Sequence, residues 1–434
     1  MTGNIYREGR ISSAWQRYIP WLAGVLILGF LIKTATANGD FKVLLEAAKL
    51  IAAGKNPYHL WIFVSEGNYD LYYYSPLCAL LLVPFTYLPY FIPNFIWLLA
   101  NAWFLYRTWV LLNKYIAIHC LTRGQKGWLL LVTIVLSARY ILYNFEMMQM
   151  TVFLLWGSLE SLSQFKKGRA IPGSLLLALI INIKILPIVL LPYLIYRKES
   201  KAALYTLLFS VFFLLLPALF TGWQGNLQLL SSWWNSINPV NAEHLAETDL
   251  GLHSLTALVP TLFTRTPGLL PYARNILDLD PGTTTLILNG TRLFLVLVTL
   301  RFLAWPPFTR AKSGPAALRE LSYIFLLVPL IFPHQQKYAF LLAAPAMFYL
   351  THYVITHFED RESRRDAVLF NTACIFLAAS FVLMTLTTDG LIGRHLNAIT
   401  QHYKAVTYGA LLLIIPLALC KPGYDRDHGQ EESW

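Results

Sequence analysis

The chain has 434 residues, 56% of them hydrophobic and 13% charged, with a net charge of +11. A soluble domain carries about 25% charged residues, so this composition and a mean hydropathy of +0.51 exclude a soluble protein and put nearly the whole chain in a membrane. The positive charge then reads as the Lys/Arg bias of inner loops, and nucleic acid is not an expected partner. Cys78, Cys120, Cys374 and Cys420 are scattered without paired spacing, which offers neither a disulfide framework nor a zinc site.

The sequence predicts an all-α polytopic membrane protein of about ten spans plus two helical excursions. Residues 1–17, with Arg7, Arg10 and Arg17, are assigned to the cytoplasm, and residues 18–420 to one membrane-embedded unit. The first span runs from Ile19 to about Ala37, where Ala35-Thr36-Ala37 also fits a signal-peptidase site. The first external loop, 38–75, opens with Asn38-Gly39-Asp40-Phe41 and carries Gly54-Lys55-Asn56-Pro57-Tyr58 and Tyr72-Tyr73-Tyr74. Within it, Phe41, Leu44, Leu45, Ala48 and Ala52 recur at helical spacing, which predicts a helix lying in the interface. Pro76 to Leu88 is too short to span and predicts a juxtamembrane or re-entrant helix.

Spans are expected at 93–112, 126–143 and 149–164, with a tight outer turn from Asn144 to Met148. Two short helices broken at Lys184 and Pro187 fill 171–196, between basic flanks at Lys166–Arg169 and Arg197–Lys201. A span at 202–221 leads to a large external loop, 222–283, holding Trp223, Trp233, Trp234 and His253. Further spans fall near 284–303, 318–332, 338–356, 367–387 and 404–420. Arg361, Arg364 and Arg365 mark an inner loop, and 421–434 a cytoplasmic tail.

Charges inside spans cost roughly 2.5–3.5 kcal/mol each on insertion scales, so each asks for a reason. Lys33, Arg107 and Arg301 lie near span ends, where snorkelling suffices; Arg292 lies within a span. Lys184 has two readings: a point charge for a lipid phosphate, or a lysine bonding carbonyls freed by Pro187. Arg139, Asn144, Glu146 and Gln149 cluster at one helical hairpin, either as an Arg139–Glu146 ion pair or as a polar pocket wall. His334 and Lys337 begin another helix pair, with His334 either a phosphate donor or a solvated loop histidine. Asp278 and Asp280 precede Pro281-Gly282 and read as a turn; no third acid completes a metal site. Asp40 alone reads as an N-cap or as a base placed at the membrane boundary.

Taken in order, these motifs resemble glycosyltransferase family 87, polytopic enzymes of the GT-C superfamily. The resemblance rests on Asp40 after the first span, Gly54-Lys55-Asn56-Pro57-Tyr58, Tyr74-Ser75-Pro76-Leu77, Gln149, the basic loop Lys166–Arg169, and Lys184 to Pro187. It departs where Met148 replaces the glycine of a Gly-Gln turn, and His253-Ser254 keeps part of an Asn-Gln-Ser element. The family implies an inverting transfer, on the external face of a bacterial plasma membrane, from a polyprenyl-phosphate-linked sugar, mannose in the best-known members, to a lipid or glycan acceptor. It implies Asp40 as general base, with Lys184, His334 and Arg139 at the donor phosphate. Asn56, Tyr58, Tyr74, Glu146, Gln149, His253 and Lys337 are then candidates for substrate contact. Neither a cofactor nor a metal is expected. A transporter of lipid-linked sugars, or another GT-C chemistry with a different donor sugar, stands as the alternative.

Overall fold

In hydrocarbon the backbone must satisfy its own N–H and C=O groups, and a helix does this within one segment. The computed structural model describes residues 13–37, 39–65, 67–116, 118–247, 251–303, 313–358 and 363–422, and among these the chain is helical almost throughout. Arg7, Arg10, Asn38, Asp249, Arg361 and the tail from 423 on lie outside the described residues.

Helix α1 (Ser13–Ala35) ends beside α4, where the Asn94 side chain donates to the Ala35 carbonyl at 3.2 Å. Helix α2 (Phe41–Ala52) begins directly after Asp40. Of its expected apolar stripe Phe41, Leu44, Leu45 and Ala48 are buried and Ala52 is exposed, while Val43, Ala47 and Ile51 are buried as well. Helix α2 packs against the short helix and turn over Pro76–Tyr87, and an unforeseen hairpin adds to its cover: β1 (Ile62–Ser65) pairs antiparallel with β2 (Asn68–Asp70). Lys42 fastens the two, donating to the Val64 carbonyl at 2.9 Å. Helix α3 (Pro76–Leu82) is capped by Ser75 and tightens into a 3₁₀ turn, Val83–Tyr87.

Helices α4 (Phe91–Asn113) and α5 (Arg123–Glu146) are long enough to cross a bilayer, and α6 (Thr151–Lys166) returns against α4. Helix α7 (Ala170–Ile183) stops at Lys184, and α8 (Leu190–Tyr196) resumes after a 3₁₀ turn, as the spacing predicts. Helix α9 (Ser200–Leu215) bends by 90° into α10 (Ala218–Ile237). The predicted external loop is therefore largely helical: α10 is followed by α11 (Ala242–Leu245) and α12 (Leu255–Phe263).

Helix α13 (Pro281–Leu303) precedes α14 (Gly314–Ile331). A 3₁₀ stretch, Lys337–Ala343, leads into α15 (Ala344–Thr356). Helix α16 (Arg364–Phe381) runs on through a π-helical turn, Val382–Leu386. Helix α17 (Asp389–His402), unforeseen in the sequence, meets α18 (Ala405–Leu419) at 70°. Among the described residues six helices suit a crossing by length and composition, or up to eight if each bent pair is one span. The sequence count of about ten also includes the span in α1, which is 23 residues long, and 149–164, whose 16-residue helix falls short of the ~20 apolar residues an unassisted crossing needs.

Helix α14 and the run from Lys337 to Thr356 form the buried centre, with Tyr323, Phe340, Phe348 and Tyr349 sealed from solvent. Several charges within helices are partnered. Arg107 does not snorkel: it pairs with Glu160 of α6 at 2.8 Å. Arg319 donates to the Leu417 and Ala418 carbonyls at 2.6 and 2.9 Å, closing the end of α18. The adjacent Glu320 takes the Tyr193 hydroxyl at 3.0 Å and lies 3.7 Å from Arg197.

Candidate active site

Asp40 sits where α2 leaves the end of α5. Its backbone N–H donates to the Met147 carbonyl at 3.0 Å. A side chain at residue 39 would bring its Cβ within 3.0 Å of that same carbonyl. Glycine at 39 is what lets the two backbones close. The Asp40 side chain makes no capping bond to α2, so the capping reading fails on geometry. Its carboxylate instead accepts from the Gln149 amide.

Gln149 is aimed by the turn between α5 and α6. Met148 there holds a left-handed backbone, φ 51°, a conformation glycine adopts without cost. The departure from the Gly-Gln pattern therefore leaves the turn intact. Trp97 secures it by donating to the Met148 carbonyl at 3.0 Å. On its other side the Gln149 amide oxygen accepts the Tyr74 hydroxyl at 3.2 Å.

Asp40, Tyr74, Gln149 and Lys184 share one cavity of about 1040 Å³. Lys184 reaches it because α7 ends in extended backbone, φ −146° and ψ 125°. Its ammonium stands 5.3 Å from the centroids of both Tyr74 and Tyr338. A cation over an aromatic face is stabilised by the ring quadrupole and stays available to a larger anion. A second acid that the sequence reading passed over, Asp70 at the end of β2, lines the same space. Burial, and then the Asp70 charge, push the Asp40 carboxyl up to about 7, against the lowering pull of Gln149 and Lys184.

The opposite wall is a seam between two loops. Leu252 bridges Gln336, and the His253 N–H donates to the Gln335 carbonyl at 2.8 Å. Glu247 lies inside this seam and takes the Ser254 and Thr256 hydroxyls at 2.8 and 2.6 Å and the His334 backbone N–H. Trp233 closes the side nearest α10, its indole donating to the Tyr73 carbonyl at 3.1 Å. Trp61, Tyr69 and Trp234 also line the cavity and are more than half exposed. Among the described residues no group of three or more His, Cys, Asp or Glu side chains is placed to hold a metal ion.

The expected site residues divide accordingly. Asp40, Tyr74, Gln149, Lys184 and His334 are brought together. Tyr58 stands behind them, its hydroxyl donating to the Tyr74 carbonyl at 2.8 Å. Asn56 accepts from the Tyr58 N–H at 3.0 Å and donates to Ser232 of α10 at 2.8 Å, so it braces the turn away from the cavity. His253 is fully buried inside the seam, where burial and then Lys404 keep its imidazole well below its usual value. Arg139 forms no pair with Glu146; its guanidinium is spent on the Met384 carbonyl and Thr387 hydroxyl, at 2.8 and 2.6 Å, across the π-helical turn. Glu146 ends α5 outside the cavity wall, and Lys337 is turned to Gln401 at 2.8 Å. Glu247, Asp70 and Arg292 are wall residues that the sequence reading did not place at the site.

The model of glycosyltransferase family 87 matches residues 72–333. That stretch holds Tyr74, Gln149, Lys184, Glu247 and Arg292 of the wall; Asp40 precedes it and His334 follows it. Neither the curated proteins nor the solved structures contain a match to the chain.

Proposed function

This chain belongs to glycosyltransferase family 87, and from that premise we propose that it transfers a sugar, mannose, from a polyprenyl-phosphate donor to a lipid or glycan acceptor on the external side of the membrane. The observation that carries this reading is Asp40. Its carboxylate caps nothing, is aimed by Gln149, and lines a large cavity with a lysine in the same wall.

Asp40 takes the proton of the acceptor hydroxyl as the oxygen attacks the anomeric carbon. The bond to the polyprenyl phosphate breaks on the opposite face, so a β-linked donor gives an α-linked product. The phosphate leaves as a stable anion and needs no proton from a general acid. Lys184 and His334 are the groups that meet its charge, in a partly desolvated cavity where such contacts act strongly. A base whose carboxyl is raised to about 7 is matched to proton transfer near neutrality. The exposed Trp61, Tyr69 and Trp234 favour approach of the acceptor along that rim.

The test uses purified wild type and Asp40→Asn with radiolabelled polyprenyl-phosphate mannose and a membrane-lipid extract. The expected loss is roughly hundredfold or more, the scale of a general base, with the fold retained. Equal transfer by both proteins removes Asp40 from the mechanism.

A further inference from the structure

Two hydrogen bonds in series decide how Asp40 is presented to the cavity. The Tyr74 hydroxyl donates to the Gln149 amide oxygen at 3.2 Å, and the Gln149 amide nitrogen donates to Oδ2 of Asp40. Tyr74 and Gln149 are both buried. Burial, and then the Asp40 charge, hold the Tyr74 phenol well above its usual value, so it stays a donor. An ionised carboxylate only accepts hydrogen bonds, whereas an amide donates at one end and accepts at the other. Reversing the Gln149 amide would set its oxygen against a carboxylate oxygen, and the Tyr74 hydroxyl opposes that reversal by occupying the amide oxygen. The backbone beneath is fixed as well, because the Gln149 N–H donates to the Asn144 carbonyl at 2.9 Å. Among the described residues Oδ2 is the Asp40 oxygen that accepts a hydrogen bond, and the carboxylate lines the cavity.

We propose that Tyr74 and Gln149 are positioning residues that act through Asp40 instead of touching substrate, holding Oδ2 so that Oδ1 takes the acceptor's proton. The acceptor O–H bond breaks toward Oδ1 while the electron pair of that oxygen forms the bond to the anomeric carbon. The bond from this carbon to the phosphate oxygen breaks, and its pair leaves with the polyprenyl phosphate. Gln149 keeps its N–H on Oδ2 throughout, which holds the carboxyl plane still as Oδ1 gains the proton and then releases it to solvent. This rests on the donor reading above. It gives Tyr74 and Gln149 a different task from the substrate contact expected of them.

The surroundings of Asp40 allow this role to be isolated. Asp70 of β2 and Lys184 at the end of α7 are the charges that face it, and the phenols of Tyr74 and Tyr338 line the same cavity. Tyr74→Phe keeps the ring that the Lys184 ammonium stands over at 5.3 Å and removes only the hydroxyl. Gln149→Met keeps a side chain of similar length and removes both hydrogen bonds. Neither change adds or deletes a charge. A donor on a carboxylate favours its ionised form, so losing the Gln149 amide raises the Asp40 carboxyl further and loosens its aim.

The experiment follows the Asp40 carboxyl across pH by infrared difference spectroscopy of the full chain in lipid nanodiscs. The carboxyl C=O band that Asp40→Asn lacks identifies it. The midpoint is expected at about 7 in the wild type. Gln149→Met should bring it to about 8, the scale of one hydrogen bond to a charged group, with Tyr74→Phe between the two. The double variant should match Gln149→Met alone, because Tyr74 acts only through the amide. In transfer assays with polyprenyl-phosphate mannose and a membrane-lipid extract, Gln149→Met should lose about tenfold or more in kcat and Tyr74→Phe about threefold. KM for donor and acceptor should stay within about twofold of the wild type. Should Gln149→Met lose its thermal unfolding transition, Tyr74→Phe alone must show the raised midpoint and the lower kcat. An unmoved midpoint, a double variant whose losses add, or a rise in KM at unchanged kcat overturns the proposal. Midpoints that move as expected in a wild type that transfers no sugar overturn the donor reading, and the assignment of Oδ1 with it.

Discussion

Under the proposed mechanism Asp40, with Asp70 beside it, ties turnover to pH. A general base works only when ionised, so turnover should rise with pH through about 7, where the Asp40 carboxyl releases its proton. The neighbouring Asp70 charge is one cause of that high position. Asp70→Asn should therefore move the rising limb of the kcat/KM profile to lower pH, and a profile unmoved by the change would free Asp70 of this role. Asp40, Gln149 and Lys184 were legible in the sequence because each stands where such a residue is costly or oddly placed: an acid just past a span, a glutamine at a tight turn, a lysine inside an apolar run. Asp70 and Glu247 were not. Each lies in a polar connecting stretch where an acid is ordinary, and only the hairpin and the seam carry them to the cavity. Arg139 misled for the opposite reason: a buried guanidinium is as well satisfied by open carbonyls of a π-helical turn as by a ligand.

At the scale of elements, the position of Asp40 depends on two backbones meeting at Gly39. Gly39→Val would press a side chain against the Met147 carbonyl and lift the start of α2 from the end of α5. Displacing a reacting group by about 1 Å can cost around a hundredfold. We expect a tenfold to hundredfold loss of kcat with the thermal unfolding midpoint nearly unchanged; full turnover in this variant would show that α2 need not touch α5. Most helices were legible from apolar run length and periodicity, including the break at Lys184. The hairpin was not, because its strands are four and three residues long and alternate too briefly to register. The helical character of the 222–283 stretch was hidden by a shape rather than a composition. Helix α10 leaves α9 at a right angle, and no count of apolar residues encodes that bend.

Across the whole molecule, buried ion pairs hold helices that the hydrophobic effect cannot sort inside lipid. The Arg107–Glu160 pair joins α4 to α6, the helix that carries the Gln149 turn at its start. Arg107→Leu leaves Glu160 charged without its ion-pair partner, held by the Gln164 amide at 2.8 Å, at a cost of up to about 3 kcal/mol. Removing both charges by Arg107→Leu with Glu160→Leu should recover most of that. Unfolding midpoints in detergent decide it: a double variant no better than the single one would mean that the pair itself, and not the orphaned acid, is what matters.

The seam between 252–256 and 333–336 also has a consequence for how the protein is made. One wall of the cavity comes from the first loop to leave the ribosome, and the facing wall waits for roughly 300 further residues. At ~5–20 residues per second that delay is about 15–60 s. Until that interval ends Asp40 has no complete seam opposite it, because the seam needs residues 333–336. The cavity is therefore complete only once residues 333–336 have joined the seam.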